Sequence, residues 1–281
     1  MAETKSLAER IDKLDSRILY IVIFLSVGYI ILNPIGLPLT ISDSVQSGYD
    51  FIDNLPEGSI VLCGFETGAG GYPSQGPQMG AYVRHMMDKN IKLVFVSGFI
   101  DGPTVVTTKL FPDLKIAESK TYGEDYVLLG YISGGPTGMA AFGTNIRNIL
   151  PTDYYNTPID DIPIMDGVET VADFDLVICC SQGSPGWQDY LKQYVEVHGT
   201  PLICGTLGSA PEMVPFYQSG QIVGYTPDLR GAAEYEVISG HPGYAVTSLD
   251  AMSIYHVILL VFLVIGNVAF AVIRIQSKEA S

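Results

Sequence analysis

Two apolar runs bracket this chain, and they constrain its fold more than any other feature. Ile18–Ile41 reads ILYIVIFLSVGYIILNPIGLPLTI, with no charged residue in 24 positions, and Ile254–Ile273 supplies 20 more, interrupted by His256 and Asn267. Each run is long enough, as a helix, to cross a hydrocarbon core of roughly 30 Å. The first exceeds the apolar region of an ordinary signal peptide, and no A-x-A cleavage site follows it, so it reads as an uncleaved signal anchor. Residues 18–41 and 254–273 are therefore expected to be transmembrane helices around one domain, residues 42–253.

Basic residues next to a span resist translocation and set its orientation. Lys5, Arg10, Lys13 and Arg17 precede the first run, and Arg274 and Lys278 follow the second. Between the runs the nearest are Arg84 and Arg230, each more than 20 residues from a span. The expected topology is a two-pass cell-membrane protein with residues 1–17 and 274–281 cytoplasmic and the domain extracytoplasmic. A cytoplasmic domain is the alternative, favoured only by cysteines with no evident disulfide partner. Leu7, Ile11, Leu14 and Ile18 follow helical spacing, so residues 1–17 read as an amphipathic segment that lies on lipid or pairs with copies of itself. Asn33, His256 and Asn267 are polar groups inside the runs, and such groups face protein rather than lipid. Hydrogen bonds between helices of a homo-oligomer, or with other membrane subunits, are the expectation there.

The region between the runs carries nine Lys/Arg against 25 acidic residues, out of 30 in the chain. Phosphate binding needs a basic footprint, so nucleic acid is excluded as a partner. The acidic character reads as a solvated surface. A divalent-cation site around Asp153, Asp160, Asp161 and Asp166 lacks the alternating pattern and closing Glu of an EF-hand loop. Cys63, Cys179, Cys180 and Cys204 read as small buried residues, with Cys179 and Cys180 on opposite faces of one strand. There is no CxxC and the four His are scattered, so neither a metal nor a cofactor is expected.

Short apolar runs at Ser59–Cys63, Leu93–Ser97, Tyr126–Leu129, Leu176–Cys180 and Leu202–Cys204, with a sixth at Ile222–Tyr225, have the composition of buried parallel strands. Helical stretches separate most of them: Gln75–Asp88, Pro103–Phe111, Gly138–Ile149, Trp187–Val197 and Glu212–Gln218, after a first helix over Ser44–Asn54. The expected fold is α/β, a Rossmann-like or flavodoxin-like doubly wound, mostly parallel sheet flanked by the two transmembrane helices.

The strands continue into CGFETGAGG, SGFIDGP, GYISGGPTG, CCSQGSPG and CGTLGSAP. In an open parallel sheet these loops share the rim where ligands bind. The candidate ligand-binding residues are Glu66, Thr67, Gly68, Asp101, Gly134, Gly135, Thr137, Ser181, Gly183, Gly205 and Thr206. Subunit packing and ordinary turn chemistry account for the same glycines equally well. No G-x-G-x-x-G or G-K-[ST] spacing is present, which leaves Ser133–Gly138 at a helix start as the better anion site. Catalytic constellations are incomplete. There is no G-x-S-x-G around Ser181 or Ser184, Cys180 with His85 matches no hydrolase motif, and Glu66, Asp101 and Glu212 form a carboxylate set only if the fold brings them together.

After the last strand, Arg230 and Glu234 are four residues apart in an acidic region, and with Glu236 they read as contacts to the membrane or to another subunit. The segments YDFIDNLPEGSIVL, YGEDYVLLGY, GQIVG and RGAAEYE, with His256 and Gly266-Asn267, resemble a family of prokaryotic two-span membrane proteins with an α/β domain. The resemblance covers most of the chain; it supports the architecture and implies no chemistry. The function expected is a non-catalytic membrane-anchored subunit of an oligomeric assembly. The alternatives are an extracytoplasmic ligand-sensing domain and an extracytoplasmic hydrolase or transferase.

Overall fold

A computed structural model describes Ile11, residues 15–208 and residues 210–279. It divides into two units, one of Leu39–Ala245 and one of residues up to Pro38 with those from Val246 onward. The amphipathic segment over residues 1–17 falls almost wholly outside the described residues.

In the first unit, α2 (Asp43–Asp53) precedes β1 (Ile60–Glu66), α3 (Tyr72–Asp88) and β2 (Lys92–Ser97). Then come α4 (residues 102–114), β3 (Tyr126–Tyr131), α5 (Gly135–Thr144) and β4 (Leu176–Ser181). They are followed by α6 (residues 187–198), β5 (Leu202–Thr206), α7 (Ala210–Gln218), β6 (Gly224–Pro227) and α8 (Asp228–Ile238). All six strands are parallel, in the order β3-β2-β1-β4-β5-β6. That is the order of a doubly wound sheet, whose direction of winding reverses between β1 and β4. The central strands are buried on both faces, which is why they read as near-continuous apolar runs rather than alternating ones.

Two cores fill the layers. Val61, Cys63, Phe65, Ile178 and Cys180 pack with Met79, Tyr82 and Met86 of α3 and with Tyr235 of α8. On the other face Leu62, Val177, Cys179 and Cys204 pack with Met139 and Phe142 of α5 and with Tyr190 and Tyr194 of α6. Cys179 and Cys180 thus face opposite cores, as strand periodicity requires, and all four thiols are buried. The helix expected over Gly138–Ile149 is interrupted. Asn145 adopts extended backbone and its side chain accepts from Asn148 N, so a separate turn, Ile146–Ile149, begins there. Both α4 and α6 contain a π-helical turn, Val106–Leu110 and Leu191–Val195.

In the second unit, α1 (Ser16–Leu32) is an apolar helix of 17 residues, capped by Asp15, whose side chain accepts from Arg17 N. It is shorter than the 24-residue span expected. Asn33 precedes Pro34, and the proline ring disfavours helical backbone in the residue before it, so the helix stops at Leu32. The chain after it is irregular, and Asp250 satisfies it: the carboxylate accepts from the N–H groups of Ile35, Gly36 and Leu37 at 2.9, 2.7 and 3.0 Å. Among the described residues one helix is long and apolar enough to cross a membrane, α9 (Tyr244–Glu279), over Tyr244–Gln276. Asn33, His256 and Asn267 bond carbonyls of their own helices, those of Tyr29, Met252 and Leu263. Each carbonyl engages one of the two N–H groups on the amide nitrogens of Asn33 and Asn267.

Candidate functional site

The carboxyl ends of β1, β4 and β5 bring three of the sequence-predicted residues into one row. Strand register pairs Glu66 with Ser181 and Ser181 with Thr206. Laterally paired residues of parallel strands point to the same face, so a carboxyl and two hydroxyls lie side by side across the point where the winding reverses. All three are buried. One rung below, Gly64, Cys179 and Cys204 are paired in the same way.

Glu66 is the centre of this row. It accepts from Tyr190 Oη at 2.5 Å, from Gly98 N at 2.9 Å and from Ser97 Oγ at 3.2 Å. Burial outweighs those donors and pushes its carboxyl up to about 7. No basic side chain contributes to that shift. The Tyr190 phenol is raised too, first by burial and then by the Glu66 charge beside it. Tyr194, one turn on, is also buried, and neither its hydroxyl nor that of Thr206 has a hydrogen-bond partner among the described residues. The residues that complete this cluster, Tyr190, Tyr194, Ser97 and Gly98, lie in other segments of the chain. Only the glycine at position 64 hinted that something large comes close.

Three glycines at the strand ends are occupied from within, whereas Gly70, Gly135, Gly183 and Gly208 of the loops beyond them have open space, among the described residues, where a Cβ would stand. A Cβ on Gly64 would lie 2.0 Å from Tyr190 Oη, one on Gly98 2.5 Å from Pro185 Cγ, and one on Gly205 2.4 Å from Gln78 Oε1. The close approach that these glycines permit is used by the protein's own side chains. Pro185 belongs to the loop after β4, so that loop packs against the backbone whose amide holds Glu66.

The other candidates are dispersed. Thr67 is buried and donates to Gly68 O, Gly68 lies against the Phe99 ring, and Asp101 is exposed. Gly134, Gly135 and Thr137 follow β3 at the sheet edge, away from the row, and Gly183 is exposed in the loop after β4. Of the three carboxylates considered from the sequence, Glu212 and Asp101 are exposed and Glu66 is buried with neutral partners; Asp101 Oδ2 lies 3.8 Å from the Cβ position of Gly68. Cys180 faces the α3 side and burial raises its thiol far from ionisation. His85 is committed elsewhere: Nδ1 bonds Tyr235 Oη at 2.8 Å and Nε2 faces Asp53 at 3.4 Å. Asp153 is taken up by Tyr122 and the backbone of Tyr155 and Thr157, and Asp160 pairs with Arg147. Among the described residues no group of three or more His, Cys, Asp or Glu is arranged to hold a metal.

The chain matches no family model, no curated protein and no solved structure. The reading of the site therefore rests on its own residues.

A second constellation is built on α8. Glu234 accepts from Ser42 N at 2.9 Å, Ser42 Oγ at 2.7 Å and Arg230 Nε at 2.9 Å, which fixes the start of α2. Glu236 accepts from Gly243 N at 2.9 Å and Ala245 N at 3.1 Å, which fixes the start of α9. Both carboxylates are buried, whereas Arg230 is exposed. Between them Tyr235 meets His85. One turn of α8 thus holds both ends of the α/β unit.

Proposed function

We propose that this chain is a two-pass, membrane-anchored, non-catalytic subunit of an oligomeric membrane assembly, with its termini cytoplasmic and its α/β domain extracytoplasmic. The observation that carries this reading is that the strand ends at the reversal point are filled. Gly64 of β1, Gly98 just after β2 and Gly205 of β5 admit Tyr190, Pro185 and Gln78 where doubly wound domains hold ligands, while Gly70, Gly135 and Gly183 of the loops stay open. A domain so filled offers surfaces rather than a reaction chamber. Glu234 and Glu236 support the same reading, because carboxylates that pin both ends of the domain suit a rigid part better than a tethered enzyme.

The first crossing is supported by Asp250. Irregular backbone is tolerated at membrane depth only where its polar groups are satisfied, and the carboxylate supplies acceptors for three successive N–H groups beyond α1. Gentle extraction in native lipid, followed by mass measurement, tests the assembly. A complex larger than one chain is expected, and a monomer without partners overturns the reading.

One observation favours a second reading, a small-ligand sensor. The row of Glu66, Ser181 and Thr206 contains an ionisable carboxyl beside the unpartnered hydroxyls of Thr206 and Tyr194. A thermal-shift screen in which Glu66→Gln abolishes a ligand's stabilisation would favour it over the first.

A further inference from the structure

Away from the rim, a groove of about 440 Å³ runs along the outer side of α3. Its floor exists because Gly76, Pro77 and Gly80 put little bulk on that face, and Leu110 and Leu114 form an apolar wall. The groove also carries charges of both signs. Arg84 donates to the backbone carbonyl of Asp113 at 3.1 Å, not to its carboxylate, while the carboxylate accepts from Tyr72 Oη at 2.6 Å. The two neighbours thus stay unneutralised by each other, and both are exposed. A second acid, Glu236, has its oxygens turned to the amides of Gly243 and Ala245. Tyr244, the first residue of α9, completes the lining ten positions before the apolar run at Ile254.

From this arrangement we infer that the groove binds a zwitterionic phospholipid, its phosphate on Arg84, its ammonium at Asp113 and its apolar part along Leu110 and Leu114. An apolar floor with a neighbouring cation and anion that do not pair with each other matches an amphiphile that carries both charges. A purely anionic lipid meets the carboxylates of Asp113 and Glu236, and a purely cationic one meets Arg84. The volume falls in the range of small-molecule pockets, so it takes a headgroup and the adjoining part of one chain rather than a whole lipid. This rests on the membrane-anchored reading, since lipid must be at hand.

The test uses the full chain in nanodiscs that contain a photoactivatable phosphatidylethanolamine, with adducts mapped by peptide. Adducts on Tyr72–Arg84 are expected beside those on α1 and α9. Gly80→Leu is expected to lower the groove adducts about tenfold and leave the others unchanged. A Cβ at Gly80 meets Leu114 at 3.7 Å, an ordinary contact, so the backbone admits a side chain there, and Gly80→Ala, expected to lower the adducts less, carries the same test if the leucine variant does not fold. Arg84→Gln is expected to act in the same direction. Adducts confined to α1 and α9, or groove adducts indifferent to Gly80→Leu, overturn the inference while the membrane reading stands. Equal labelling by an anionic phosphatidylglycerol probe overturns the zwitterionic class. Loss of the adduct to excess soluble phosphoethanolamine assigns the groove to a free headgroup compound and overturns the lipid. No adducts anywhere overturn both readings.

Discussion

Tyr190 donates to Glu66 at 2.5 Å from a hydroxyl that stands where a side chain on Gly64 would have to be. The contact joins α6 to β1 beneath the loop after β4, and it makes the buried carboxyl part of the packing. Its first consequence is a pH dependence. The carboxyl's folded value, about 7, lies above its ordinary 4.5, so the folded state holds the proton more tightly than the unfolded state. The stability this group contributes is fully present below about pH 4.5 and is lost as pH rises through 7. On the order of 3 kcal/mol is at stake. Thermal unfolding from roughly pH 5 to 8.5, on either side of the folded value of about 7, should show this component in the native chain and not in Glu66→Gln. A midpoint for Glu66→Gln that follows the native profile through this range would contradict the assignment.

Gly64 itself is the steric half of the same relationship. Gly64→Ala drives a methyl into the Tyr190 ring and should cost about 3 kcal/mol. At Gly70, in the following loop, a Cβ meets nothing within 4 Å, and Gly70→Ala should be near neutral. The comparison of the two by thermal unfolding separates a filled position from an open one. Equal effects would mean that Tyr190 does not fill the space beside Gly64.

Much of this fold was legible from periodicity, because a strand buried on both faces must be apolar throughout: the first five strands fall on the runs that the sequence marks, and β6 (Gly224–Pro227) shares Gly224 and Tyr225 with the run at Ile222–Tyr225. The row of Glu66, Ser181 and Thr206 was legible only in its members. Their common rung depends on register between β1, β4 and β5, which pairing fixes and local composition does not. Tyr190 and Tyr194 were hidden because an aromatic in a helix reads as core, and nothing local tells that its hydroxyl reaches a carboxyl 124 positions away. Glu234 and Glu236 were visible as unusual acids. That Glu234 holds the start of α2, 192 positions away, and Glu236 the start of α9, seven to nine positions on, and that both face inward, follows from where α8 packs against α2 and α3.

The junction carboxylates give a local prediction. Glu234→Ala leaves Ser42 N and Oγ without their acceptor, and Glu236→Ala does the same to Gly243 and Ala245. Each should cost about 2 kcal/mol locally and speed amide exchange about 30-fold. The first should act at residues 42–46 and the second at 243–246. Exchange that changes equally at both ends in either variant would mean that α8 does not hold them independently.

The proposed topology can be read with thiol labelling, since the four native cysteines are buried and give little background. Thr137→Cys, at an exposed position after β3, should react with a membrane-impermeant maleimide on intact cells. Ser6→Cys should react only after permeabilisation. The reverse pattern would place the domain in the cytoplasm.

Asp250 provides the sharpest test of the first crossing. Its carboxylate is 2% exposed, and one oxygen accepts from Ile35 and Gly36 while the other accepts from Leu37. Asp250→Ala strands all three amides and should cost about 3 kcal/mol or more. Asp250→Asn keeps one oxygen for Ile35 and Gly36 but turns an NH₂ toward Leu37 N–H, so its loss should be intermediate. Amide exchange at residues 35–37 in nanodiscs should rise in the order native, Asn, Ala. Equal exchange in the three proteins would mean that Asp250 does not hold these amides. The gradation therefore reports whether the bend after α1 is fixed by this one side chain.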